Sequence, residues 1–227
     1  MRGRDFGACV AAWVGAVVVA VVSPAARGSP ILGQVNDFEA GTTLGWTNGP
    51  GATDPVNTTA AGGGPAGVDD NYVRVSARGG GGAGSRLVSY NRATPWTGNY
   101  VAAGVTAVSM DLKNFGTTPL TMRIAFQEQT TGLRFYSRTG QTLPADNAWH
   151  RMTFRLTATD LNSGTNLTRA LGRVSELRVL HSPTAAFEGA PISSSFGVDN
   201  VTAVPEPAAA AVAGLVAAAV MTLRFRR

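Results

Sequence analysis

The chain is almost without cysteine: its 227 residues carry one, Cys9, inside an apolar leader rather than in the body of the protein. That excludes a disulfide framework for the body, a thiol nucleophile and a cysteine-based zinc site. Imidazoles are nearly as scarce, with only His150 and His181 in the whole sequence. No H-E-x-x-H pair and no Gly-Lys-Ser/Thr phosphate loop occurs. Gly79, Gly81 and Gly84 match G-x-G-x-x-G formally, but an expected strand, Arg86 to Tyr90, follows them in place of the helix that would present its N-terminus to a phosphate. Charged residues make up only 15% of the chain, fewer than an ordinary helical enzyme carries.

What charge there is sits unevenly. Of 19 basic residues, six (Arg2, Arg4, Arg27, Arg224, Arg226, Arg227) lie at the two ends, leaving 13 against 12 acidic residues once Asp5 and Glu206 are set aside from 14. The body is therefore close to neutral despite the overall charge of +5, which excludes the broad basic surface of a nucleic-acid-binding protein.

The two ends carry addresses. Arg2 and Arg4, an apolar run from Val10 to Val22 and the small residues Ser23 to Gly28 have the layout of a secretory signal peptide over residues 1–28. As a helix that run rises about 20 Å, short of a hydrocarbon core of roughly 30 Å. At the other end, Val204-Pro205-Glu206-Pro207 precedes the uncharged stretch Ala208 to Leu223 and then Arg224-Phe225-Arg226-Arg227. The stretch is marginal as a membrane span, at about 24 Å of helix rich in alanine. Terminal arginines favour a cytoplasmic end and leave the body outside.

A Pro-Glu-Pro motif, an apolar stretch and a basic end in that order resemble the PEP-CTERM sorting tail, also called the ice-binding-protein C-terminal domain. The resemblance covers residues 204–227. It implies a protein sorted, and cleaved near the motif, by an exosortase-type membrane enzyme, with a transient membrane anchor and a cell-surface or extracellular destination. Pro205, Glu206, Pro207, Arg224, Arg226 and Arg227 are the sorting residues it implies. A plain tail anchor is the alternative.

Between the ends, residues 29–203, the pattern has period two. Leu120, Met122, Ile124 and Phe126 alternate with Thr121, Arg123, Ala125 and Gln127, and His150, Met152, Phe154 and Leu156 alternate with Arg151, Thr153 and Arg155. Similar runs at Tyr72 to Ser76, Val108 to Leu112, Leu133 to Ser137, Val174 to Leu180 and Phe196 to Ala203 are separated by Gly, Pro, Asn and Thr clusters. Eight or nine such strands predict an all-β, two-sheet antiparallel sandwich of jelly-roll type. One helical turn is expected between Leu161 and Leu171.

Asp37-Phe38-Glu39, Gly45-Trp46, Trp149-His150 and Phe196-Gly197-Val198-Asp199-Asn200-Val201 together resemble the galactose-binding-like jelly rolls that include many carbohydrate-binding modules. That resemblance implies a polysaccharide ligand, and a structural calcium shared by Glu39 and Asp199, whose two carboxylates would need backbone carbonyls and water to complete the ion's shell. Their alternative role is as ordinary turn carboxylates.

Sugar stacking needs an exposed flat ring beside hydrogen-bonding groups. The turn-rich loop Thr94 to Tyr100 offers Trp96 and Tyr100, with Arg92 and Asn99 close in sequence; Tyr90 and Tyr136 are further candidates, while Trp46 and Trp149 read as core. Three functions follow: a non-catalytic surface module binding extracellular polysaccharide, a structural matrix protein with no small ligand, or a jelly-roll enzyme acting on glycans. Catalytic residues are not evident, and the first reading is the expectation carried forward.

Overall fold

In the computed structural model, residues 29–49, 56–80, 82, 84–162 and 166–205 are described. The leader and the tail beyond Pro205 lie outside them, and with them the expected signal and membrane helices and the sorting residues Glu206, Pro207, Arg224, Arg226 and Arg227. No helix among the described residues is long and apolar enough to cross a membrane.

Twelve strands and one short helix follow in the order β1 Val35–Asn36, β2 Trp46–Thr47, β3 Thr58–Ala60, β4 Tyr72–Arg78, β5 Val88–Asn91, β6 Val105–Asn114, β7 Leu120–Glu128, β8 Arg134–Tyr136, β9 Gln141–Leu143, β10 Trp149–Arg155, α1 Leu167–Leu171, β11 Val174–His181 and β12 Ser193–Pro205. The first sheet runs β10-β6-β12-β4-β3, with β1 also on β12; the second runs β2-β5-β11-β7-β8, with β9 also on β7. Every pairing is antiparallel, so the chain forms the two-sheet sandwich that the alternation predicts. The strands beyond the expected eight or nine are β1, β2, β3 and β9, each two or three residues long and too short to show a period.

Leu120, Met122, Ile124 and Phe126 of β7 turn inward and meet Val108, Met110 and Leu112 of β6, Met152 and Phe154 of β10 and Phe196 and Val198 of β12 in one continuous core. Phe126 stacks on Phe135 at 5.2 Å and takes the edge of Tyr100 at 5.5 Å. Turns are fixed by side chains: the buried Glu128 carboxylate accepts from the Thr130 and Thr131 N–H groups and the Thr131 hydroxyl, closing the β7–β8 hairpin. Burial alone would raise the pKa of Glu128; those bonds outweigh it and hold it at about 2.

Trp149 departs from expectation. It sits one residue out of phase with Met152 and Phe154 and lies on the outer face of the first sheet, half-buried, its Nε1 donating to the Gly63 carbonyl at 3.0 Å. Tyr72 and Phe115 join it there, and the ring rests on the backbone of Gly197. His150, on the inward phase but at the rim, bonds Asp146, and the buried His181 accepts the Thr121 N–H through Nδ1. Neither histidine is placed beside a nucleophile by these contacts.

Candidate functional site

Trp96 and Tyr100 are not a sugar platform. Both are fully buried: Trp96 donates from Nε1 to Asn36 Oδ1 at 2.5 Å and packs beside Trp46, and the Tyr100 hydroxyl donates to the Trp96 carbonyl. The polar residues of the loop conceal this, because the acceptor that satisfies the indole lies 60 positions away in β1. Burial also raises the Tyr100 pKa far above its ordinary value. Asn91 is likewise buried, its side chain donating to the Leu44 carbonyl.

The other two loop candidates do line a surface feature. Three hollows of about 250, 420 and 500 Å³ join in series: Arg92 is common to the first and second, and Gly98 and Gln129 to the second and third. The result is an elongated trench. One end is walled by Arg86, Tyr90, Arg178 and Glu188 on the outer face of the second sheet; the middle passes Thr94 and Thr97; the far end holds Asn99, Thr130 and Arg173. Guanidiniums, hydroxyls and amides are set along walls that also expose apolar surface.

Strand register explains how these side chains meet. Across the outer face of the second sheet, Glu176 stands opposite Gln127 and Gln127 opposite Arg134, while Arg92 follows β5 in the outward phase. The next row is Tyr90, Arg178, Ala125 and Tyr136, and the one beyond it Val88, Leu180 and Arg123. Val88, Ala125 and Leu180 are apolar because the 182–190 loop folds over them and seats Phe187 in a small second core with Tyr136. The first row enters the trench at Arg92, while Arg134 stands beside it, 3.7 Å from the Glu188 that walls one end.

Glu176 is buried between Arg92 and Arg178, and both guanidiniums lie over the Tyr90 ring, at 4.8 and 5.3 Å. Arg178 also covers Phe187 at 3.8 Å. Burial raises the Tyr90 pKa, partly countered by Arg92. Sequence reading missed Glu176, Arg178, Phe187 and Glu188. A bulge between Val174 and Glu176 breaks the alternation that would have marked Glu176 and Arg178 as outward-facing.

Glu39 and Asp199 lie elsewhere, on the outer side of the first sheet. Asp199 pairs with Asp111 across β12 and β6, is fully buried, and accepts from the Asn200 backbone N–H at 2.6 Å, where Asn200 takes a positive φ of 49°. Burial lifts its carboxyl to about 7; the Asn200 bond works against this, and Asp70, Asp111 and Glu39 add to it. Glu39 turns an oxygen to the Asn71 N–H at 2.9 Å, and Arg151 holds Asp111. Among the described residues, no group of three or more His, Cys, Asp or Glu side chains is arranged to hold a metal ion. The charges here suit a cation; a ready-made coordination shell is not formed. Pro205, the one described residue of the expected sorting motif, ends β12 opposite Val105.

No family model matches the chain, and no curated protein matches it in sequence. In structure it is similar to an exo-β-agarase, with a TM-score of 0.52 and 12% identity over 77% of this chain and 25% of that one. It is also similar to the N-terminal CBM22-1–CBM22-2 tandem domain of Xyn10C from Paenibacillus barcinonensis (TM-score 0.48, 16% identity, 82% of this chain and 49% of that one). A third likeness is to CBM28, a carbohydrate-binding module specific for non-crystalline cellulose (TM-score 0.47, 14% identity, 78% and 98%). The chain thus spans a quarter of the agarase and about half of the tandem domain. At such identities the likeness concerns the sandwich fold alone.

Proposed function

We propose that the sandwich is a non-catalytic module that binds extracellular polysaccharide in the trench on its second sheet. The observation that carries this reading is the trench itself: three joined hollows suit an extended chain better than a compact ligand, and their hydroxyl, amide and guanidinium walls are the donors and acceptors a polyol needs. A sandwich similar in fold to part of an agarase, an enzyme whose substrate is a polysaccharide, is in keeping with it.

The same reading takes residues 1–28 as an export signal and 204–227 as a sorting tail handled by an exosortase, which delivers the module to the cell surface after transient membrane anchoring. A structural calcium at Glu39 and Asp199 belongs to it as well. Asp199 and Glu39 would hold the ion, whose charge would offset the burial and, secondarily, the carboxylate repulsion that lift the Asp199 carboxyl.

Glycan-array binding by the full-length protein, with and without calcium, tests the function. Gln129→Ala removes an exposed trench amide that makes no side-chain bond to the protein among the described residues, and is expected to weaken polysaccharide binding roughly two- to tenfold without loss of stability. Parent-like affinity in that variant would move the site off the trench, and no polysaccharide binding at all would leave a structural role.

A further inference from the structure

Charge on the trench face is not balanced. Glu176 serves two guanidiniums, Arg92 at 2.5 Å and Arg178, and Glu188 likewise stands between Arg86 at 3.6 Å and Arg134 at 3.7 Å. Four cations against two carboxylates leave a surplus of two. Arg123, on the same face, adds a third: its buried guanidinium donates only to the carbonyls of Ser137, Arg138, Ser182 and Pro183, and among the described residues no carboxylate pairs with it. Since residues 29–203 hold 13 basic against 12 acidic residues, a surplus of three on this face leaves the rest of the body at a deficit of two. The positive charge has been gathered on the sheet face that the trench crosses.

Two of these arginines are positioned to receive a ligand. Arg92 is 56% and Arg134 53% exposed. Arg92 spends only its Nε on Glu176, and Arg134 approaches Glu188 beyond hydrogen-bond range, so both keep terminal amino groups without a protein acceptor among the described residues. They stand at opposite ends of one row across the sheet, Arg92, Glu176, Gln127, Arg134, about 14 Å apart at the usual spacing between strands. A planar guanidinium matches a carboxylate or sulfate with paired N–H donors, and two of them so far apart call for a polymer that repeats its anionic groups.

We propose that the trench takes an acidic polysaccharide, with Arg92 inside it and Arg134 beside it on the same face binding the chain's carboxylate or sulfate groups. This rests on the reading of the trench as a polysaccharide site and adds to it the class of chain. Arg178 and Arg86 neutralise the two glutamates and hold the face together; Arg92 and Arg134 carry the charge left over.

The test uses full-length protein in titration calorimetry against polygalacturonate, a sulfated galactan, neutral mixed-linked glucan and duplex DNA, at low and at physiological salt. An acidic chain is expected to bind at least roughly tenfold more tightly than the neutral glucan, with affinity falling as salt rises. The polygalacturonate and sulfated arms show which anion is read. The Arg92→Gln/Arg134→Gln variant leaves each glutamate one arginine, so its melting temperature should hold while acidic affinity drops to the level of the neutral chain. Neutral glucan bound as tightly as the acidic chains, or acidic binding retained in the double variant, overturns the proposal while leaving the trench reading to Gln129→Ala. Duplex DNA bound as tightly as the acidic glycans also overturns it, as mere attraction of polyanions. If no polysaccharide binds, both readings fall.

Discussion

The indole N–H groups of Trp46 and Trp96 converge on one acceptor, Asn36 Oδ1, at 3.0 and 2.5 Å, with their rings 6.2 Å apart. A single amide oxygen in β1 thereby satisfies two buried donors from separate segments of the chain. Asn36→Ala leaves both indoles without a partner, and each orphaned buried donor costs about 1 to 3 kcal/mol. The unfolding free energy should fall by roughly 2 to 5 kcal/mol in denaturant titrations, and a loss under about 1 kcal/mol would show that water replaces the amide.

Glu176→Gln is expected to be more damaging than its position beneath a ligand trench suggests. It strands the Arg178 guanidinium, 13% exposed, against Tyr90 and Phe187 without a counter-charge. Breaking a buried pair from one side costs about 3 to 5 kcal/mol, whereas Glu176→Gln combined with Arg178→Met should recover much of it. A double-mutant cycle with no coupling between the two positions would rule this account out.

Asp199 should cost the metal-free protein stability as pH rises from about 4 to about 7, a slope read as the difference between the parent and Asp199→Asn. Asp199 has a carboxyl raised from 3.8 to about 7 in the folded state, so across that window the folded chain holds a proton that the unfolded chain has released. Ionising the buried group costs up to about 4 kcal/mol at neutral pH. Calcium should reverse the trend, because it binds the ionised carboxylates of the folded state and stabilises by mass action. Melting curves in excess chelator and in excess calcium check both slopes, with Asp199→Asn insensitive to either. Identical melting temperatures with calcium and with chelator at neutral pH would dismiss the ion.

Gly197→Ala tests the outer face of the first sheet. A methyl group there would meet the Trp149 ring at 2.7 Å and Phe115 at 3.2 Å, so the aromatic cluster must shift. Overpacking of this kind costs typically about 1 to 3 kcal/mol. An unaltered melting temperature would mean that Trp149 gives way freely and the cluster contributes little.

How much of this was legible depended on how local the signal is. Leu120 to Phe126 and His150 to Phe154 announce β7 and β10 because alternation is a property of neighbours in sequence. Even the outward position of Trp149 is implied by the phase of His150, although its bulk suggests core. Trp96 could not be placed that way, since its burial depends on Asn36. The trench face is less local still: Tyr90, Arg178, Ala125 and Tyr136 become one row only through the pairings of β5, β11, β7 and β8. Arg92 and Asn99, chosen for lying near Trp96, do line the trench; the ring itself does not.

The thirteen residues of β12 run between β6 and β4 and end at Pro205. Tension applied to the chain beyond that residue pulls the strand along its own axis, while its ladder bonds to β6 and β4 lie across that axis. They must then slide and fail together rather than unzip in turn from one edge. A sandwich tethered at this end would bear load in shear through its first sheet while the opposite sheet kept its grip on a ligand.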